Sequence, residues 1–183
     1  MESGLALEQY VNDVLLGSGI QASNITYSGG SEQLGMLTGA EDSFSIPTGF
    51  VMSSDAAENL GCPSAFVPCT GCLGMGYSDP DLLAVANSVP PLIGESFSVS
   101  SVNDVSTLEF DFTASGDSIR FNYAFGSDEY ETWINTQFND VFAFFLSGPG
   151  INGTYSSPAE FPDGAVNIAV VPDTDPALPI TVS

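Results

Sequence analysis

Positive charge is almost missing from this chain. Arg120 is its single basic side chain, lysine and histidine are absent, and 23 carboxylates set the formal charge at -22. Binding to nucleic acid, which needs Lys and Arg to displace counterions from phosphate, is excluded on that count. Docking on anionic lipid is excluded in the same way. Without histidine there is no imidazole general base and no Ser/His/Asp triad. Long apolar runs are lacking too: no stretch approaches the roughly 18 residues that a membrane-spanning helix requires, so direct membrane insertion is not expected. Cysteine is scarce and confined to Cys62, Cys69 and Cys72, in C-P-S-A-F-V-P-C-T-G-C. Three thiols without histidine fall short of a zinc site. The C-x-x-C of Cys69 and Cys72 lacks the βαβ surroundings of a redox motif. The expectation is a local disulfide in an oxidising compartment, with the choice of pair among Cys62, Cys69 and Cys72 left open.

What the chain does have is aromatic and turn-forming residues. Hydrophobic residues make up 43%, including 13 Phe and 6 Tyr spread along the sequence, so this is not a disordered acidic tail. Charged residues are only 13%, and 19 Gly and 12 Pro supply turns. That profile is the one expected of an extracellular β-protein. Chemistry that remains accessible is the binding of hard cations through carboxylate and carbonyl oxygens. Met1-Glu2-Ser3-Gly4 has no basic n-region and is not a signal peptide, while Pro179-Ile180-Thr181-Val182-Ser183 reads as a strand that is cut off. A segment of a longer exported chain is expected.

Leu7, Val11, Val14 and Leu15 recur at helical spacing before Gly17 and predict one N-terminal amphipathic helix, the only long helix expected. Strands are predicted at Ala22 to Tyr27, Leu34 to Leu37 and Phe50 to Ser53. Residues 54 to 95 read as a long Gly/Pro-rich loop in which Asp79-Pro80 starts one or two helical turns. Leu108, Phe110 and Phe112, then Ile119, Phe121, Tyr123 and Phe125, alternate on either side of Ser115-Gly116-Asp117. They predict a β-hairpin in which Arg120 faces Glu109 or Asp111. Val141 to Leu146 reads as a strand buried on both faces, and Val166 to Val171 as another. The fold class expected is mostly β: a single-domain β-sandwich or jelly roll over residues 1–183.

Two longer segments resemble a known family. Leu108 to Tyr130 (L-E-F-D-F-T-A-S-G-D-S-I-R-F-N-Y-A-F-G-S-D-E-Y) and Phe138 to Gly153 (F-N-D-V-F-A-F-F-L-S-G-P-G-I-N-G) resemble the choice-of-anchor L domain of bacterial surface proteins. Tyr10 to Gly19 and Ser78 to Leu82 match its pattern as well. The resemblance implies an exported, extracellular or cell-surface module without enzymatic activity. Its partners would be other copies or neighbouring domains of a surface or filament protein. The family domain usually continues past the equivalent of Ile180, so the last strands are expected to be missing here. The Cys62 to Cys72 loop is not part of the family pattern.

Candidate sites follow from the acidic ends of the predicted strands. Asp128, Glu129 and Glu131 follow the strand ending at Phe125, and Asn139 and Asp140 precede the apolar run. If those strands are antiparallel neighbours, these side chains meet at one edge as an oxygen cage suited to Ca²⁺. Asp79 and Asp81 are secondary metal candidates, with helix initiation as the competing role. Trp133, with Tyr130 and Phe138, can form a sugar-stacking platform, which makes glycans an alternative partner and a calcium-dependent carbohydrate-binding module an alternative function. Glu129 and Asp140 also read as a carboxylate pair for glycoside hydrolysis, the weakest of the three readings because neither a cleft nor a perturbed acid is visible in sequence.

Overall fold

The computed structural model describes residues 6–17, 19–40, 45–61, 74, 76–127 and 133–182. The chain is mostly β with few helices and divides into two compact units, one from Met1–Ser78 with Asn103–Ala124, the other from Asp79–Val102 with Phe125–Ser183.

The first unit opens on a helical turn, α1 (Leu7–Gln9), which runs into a π-helical stretch, Tyr10–Leu15. The Leu16 N–H reaches the Val11 carbonyl at 2.8 Å, a bond one residue longer than an α-helix makes. A helical segment thus forms where Leu7 to Leu15 predict one, but it is short and largely π, not one long α-helix. Ala6 provides no side-chain cap, and only Tyr10 and Val11 of the segment are buried. Tyr10 meets Phe50 edge-on at 5.5 Å, which fixes the segment against its unit.

Two antiparallel pairs build the rest of this unit. Strand β1 (Ile20–Ser28) pairs with β4 (Thr107–Ala114), and β2 (Leu34–Ala40) pairs with β3 (Ile46–Met52). The β1–β4 register shifts between Ser23 and Thr26, where Asn24 takes φ 53, and the Asn24 amide donates to Asp111 Oδ2 at 2.6 Å. A bulge that needs a left-handed residue is well served by asparagine, whose short polar side chain tolerates that region.

This pairing overturns the predicted hairpin. β4 forms where the alternation placed it, but its partner is β1, and residues 118–125 carry no strand. Period-two alternation fixes which face of a strand is apolar and says nothing about which neighbour supplies the ladder. Asp111 takes its hydrogen bond from Asn24 instead of facing Arg120 across a hairpin.

A polar residue sits at the centre of this unit. Gln33, fully buried at the end of a 3₁₀ turn (Ser31–Gln33), accepts from the Gly30 N–H at 2.6 Å and donates to the Asp104 carbonyl at 2.6 Å. Its own carbonyl receives the Ser53 N–H at 3.0 Å. One side chain thus joins the β1–β2 connection to the segment leading into β4. Tyr27 adds a second tie, donating to the Gly30 carbonyl and lying 3.0 Å from Ser106 Oγ. Burial raises its phenol above the ordinary tyrosine value, the Ser106 bond lowers it in part, and Tyr77 and Glu32 add smaller increases.

The second unit is organised on α2 (Pro80–Ile93), the longest helix among the described residues. Asp79 caps it through a 2.8 Å bond from the Leu82 N–H, Pro80 occupies the first helical position, and Gly94 closes it at φ 80. The predicted start is right and the predicted length is short, because Pro90 and Pro91 read as breakers. They fall in the last turn, just before the glycine cap. Val85, Ala86 and Val89 form the buried face. Asn87 anchors the return of the chain: its amide nitrogen donates to the Leu83 and Val99 carbonyls, and its oxygen accepts from the Val99 N–H at 2.9 Å.

Four short strands complete the unit. β5 (Val141–Phe142) pairs with β8 (Ile180–Thr181), and β6 (Phe145–Leu146) pairs with β7 (Val166–Asn167). The apolar run from Val141 is thus two strands with different partners, not one strand buried on both faces, and Phe145 is 37% exposed. The break has a local cause. Asn167 Oδ1 takes the Phe144 N–H at 3.1 Å, and the Phe144 carbonyl takes the Ile168 N–H at 2.9 Å, so a side-chain amide replaces a ladder bond between β5 and β6. The rings then spread to separate neighbours: Phe142 to Phe125 and Phe144, Phe145 to Tyr155. Ala165, Ala169, Ile180 and Val182 are among the buried residues of this unit.

Candidate functional site

The acidic edge singled out from sequence lies in the second unit, where β5 begins. Asp140 directly precedes β5, and one of its carboxylate oxygens accepts from Ser127 Oγ at 2.5 Å. Asn139 Oδ1 and the Asp140 carbonyl both receive the Val182 N–H, each at 3.2 Å. The structure therefore brings Ser127, Asn139 and Asp140 together, with the chain beyond β8 held against them. Asp128, Glu129, Tyr130 and Glu131 lie outside the described residues, as do Cys62, Cys69 and Cys72. Among the described residues no three acidic, cysteine or histidine side chains gather around one point. A carboxylate offers about four acceptor positions, so Asp140 can accept bonds beyond the one from Ser127.

Asp79 and Asp81 have separate partners. Asp79 caps α2, and Asp81 Oδ2 accepts from the Ser156 N–H at 2.9 Å. The helix-start reading accounts for Asp79, while the bond from Asp81 ties the first turn of α2 to the loop that follows Tyr155.

Trp133 and Phe138 stand on a loop locked by one hydroxyl. Thr136 Oγ1 donates to the Trp133 carbonyl at 2.7 Å and accepts from the Phe138 N–H at 3.2 Å, while Asn135 makes the bend at φ 59. The two rings meet edge-on, with centroids 5.0 Å apart and planes at 67°. Trp133 is 45% exposed, Ile134 42% and Phe138 50%. Of the stacking residues expected from sequence, Trp133 is thus displayed beside Phe138.

Sequence reasoning missed a cleft of about 370 Å³ in the second unit. Asn152, Thr154, Tyr155 and Asn167 give it a polar side, Val170 and Pro179 an apolar one. Its floor is a close backbone crossing: Tyr155 and Ala165 exchange N–H···O bonds at 3.2 and 2.9 Å, and the Gly153 N–H donates to the Asp163 carbonyl at 3.0 Å. Tyr155 carries the one titratable group of this lining; burial raises its phenol above the ordinary value, with Asp81 adding to the rise. Such a surface hydrogen-bonds and packs. The signal available in sequence was the glycine pair Gly153 and Gly164, which composition alone does not set apart from turn glycines.

No helix among the described residues is long and apolar enough to cross a membrane. Compared with the curated proteins and with the solved structures, the chain finds no match. The sequence model of the choice-of-anchor L domain, a family of cell-surface modules that is not a known enzyme family, matches residues 2–183. With essentially its whole length under that one pattern, the chain belongs to the choice-of-anchor L domain family.

Proposed function

We propose that this chain is a non-catalytic structural or adhesive module of an exported bacterial surface protein or filament, built as a β-sandwich and assembled with its neighbours by strand addition. The observation that carries the reading is the β1–β4 pair. These are the two longest strands, and each has a single strand partner among the described residues. A long strand with one partner offers a row of backbone donors and acceptors to a neighbouring chain. Family membership supports the surface setting.

Assembly of copies that each carry a charge of -22 needs counterions, because like charges repel unless salt or divalent cations screen them. At physiological salt with calcium, sedimentation of the recombinant chain is expected to show concentration-dependent assembly. A strictly monomeric chain over a broad concentration range under those conditions overturns the strand-addition reading. Surface exposure is tested separately, by protease shaving of intact cells producing the full parent protein; complete protection of the domain removes the surface role.

Calcium belongs to this proposal through Asp128, Glu129, Glu131, Asn139 and Asp140. Protein stripped with chelator should melt about 5–10 °C higher when calcium is added to about a hundredfold above its dissociation constant. That is the shift expected from a ligand that binds only the folded chain and contributes about 2.7 kcal/mol. Sodium chloride at matched ionic strength separates specific binding from screening.

A further inference from the structure

We propose that the Trp133–Phe138 corner is a binding site for neutral glycans. Two aromatic rings packed edge to face, with planes at 67° and centroids 5.0 Å apart, make a cornered apolar surface, and both remain about half exposed. An indole that is not needed to cover a core is normally buried against something, since aromatic rings bring a large apolar area and specific geometry. Here the loop is held rigid by Thr136 at both ring-bearing residues, so the walls are set before any ligand arrives. Preorganisation of that kind removes part of the ordering cost of binding.

The size of the corner selects its occupant. With side chains of about 150–250 Å² each, the exposed parts of Trp133, Ile134 and Phe138 amount to about 300 Å². A stable protein–protein interface needs about 800 Å² from each partner. Each chain carries a charge of -22, so a contact between copies needs screening cations, and a patch of this area adds too little to hold one by itself. A pyranose ring matches the available area, laying its C–H face on one aromatic wall while its hydroxyls point outward. The same net charge selects against uronic, sulfated or sialylated sugars, which leaves neutral glycans as the class. The site stands independently of strand addition, and its test leaves that reading untouched.

Trp133 is the sole tryptophan, so its fluorescence reports this site alone. The chain is titrated with cello-, chito-, manno- and galacto-oligosaccharides, and with sialylated and polyuronate oligomers as acidic comparisons. A saturable blue shift of the emission with at least one neutral series is expected, and none with the acidic series. Calorimetry on Trp133→Ala and Phe138→Ala, each checked by circular dichroism for retained fold, should show binding weakened about tenfold or more, as for a buried aromatic anchor. The proposal is overturned by an unchanged emission with every neutral series, by binding that survives Trp133→Ala, or by equal binding of the acidic series. Self-association abolished by Trp133→Ala without any glycan response also overturns it and assigns the corner to a protein contact.

Discussion

Replacing Gly153 with alanine is expected to lower the melting temperature by about 10 °C. A Cβ at this position would run into the carbonyl group of Ala165, and Gly164, at φ 88, faces the Gly153 carbonyl in return. Neither obstacle is a side chain that can rotate away. Both are backbone atoms fixed by the Tyr155–Ala165 hydrogen bonds, so the two segments must separate and weaken the crossing beneath the cleft. Overpacking of this kind costs about 3 kcal/mol, and a chain of this length loses roughly 2–4 °C for each. Gly116→Ala is the matched control: nothing lies within 4 Å of its added carbon, and its melting temperature should stay near the parent value. Thermal unfolding followed by circular dichroism distinguishes the two. An unchanged midpoint in Gly153→Ala contradicts the close crossing.

Gln33→Leu should be comparably damaging, by about 3 kcal/mol, although leucine is apolar and of similar size. The substitution removes the acceptor of the Gly30 N–H and a donor to the Asp104 carbonyl, in a place where Gln33 itself is fully buried. An orphaned buried polar group costs about 1–3 kcal/mol, and the apolar side chain recovers only part of two such losses. Gln33→Glu provides the diagnostic comparison. Its carboxylate still accepts from Gly30 but presents negative charge to the Asp104 carbonyl, so it should be worse than leucine at neutral pH and recover as the pH falls and the acid is protonated. Chemical denaturation at two pH values measures this order. A Gln33→Leu variant as stable as the parent shows that the amide is not what joins the two segments.

These cases also mark how far the sequence could be read. The strands at Ala22–Tyr27, Leu34–Leu37, Phe50–Ser53 and Leu108–Phe112 were legible because apolar alternation and turn residues bound each of them, and they correspond to β1, β2, β3 and β4, with Ser53 just past the end of β3. The start of α2 was legible from Asp79-Pro80. What alternation left open is pairing, which depends on a bulge at Asn24 and a distant carboxylate at Asp111. Ser31-Glu32-Gln33 reads as a polar turn, and nothing local announces that its last side chain is buried. The break between β5 and β6 was equally hidden, since it comes from the amide of Asn167 well downstream. Of the candidate site, Trp133 could be singled out because it is the one indole, while its exposure beside Phe138 required the loop geometry set by Thr136.

The Asn87 clamp has a chemical consequence for the lifetime of the folded chain. Its nitrogen faces the carbonyls of Leu83 and Val99 while its oxygen holds the Val99 N–H, so only a carboxamide satisfies all three groups. Deamidation there would leave the oxygen contact intact and set an anion against two carbonyl dipoles. Loss of one nitrogen, with no change in side-chain size, would unseat the strap that crosses the longest helix.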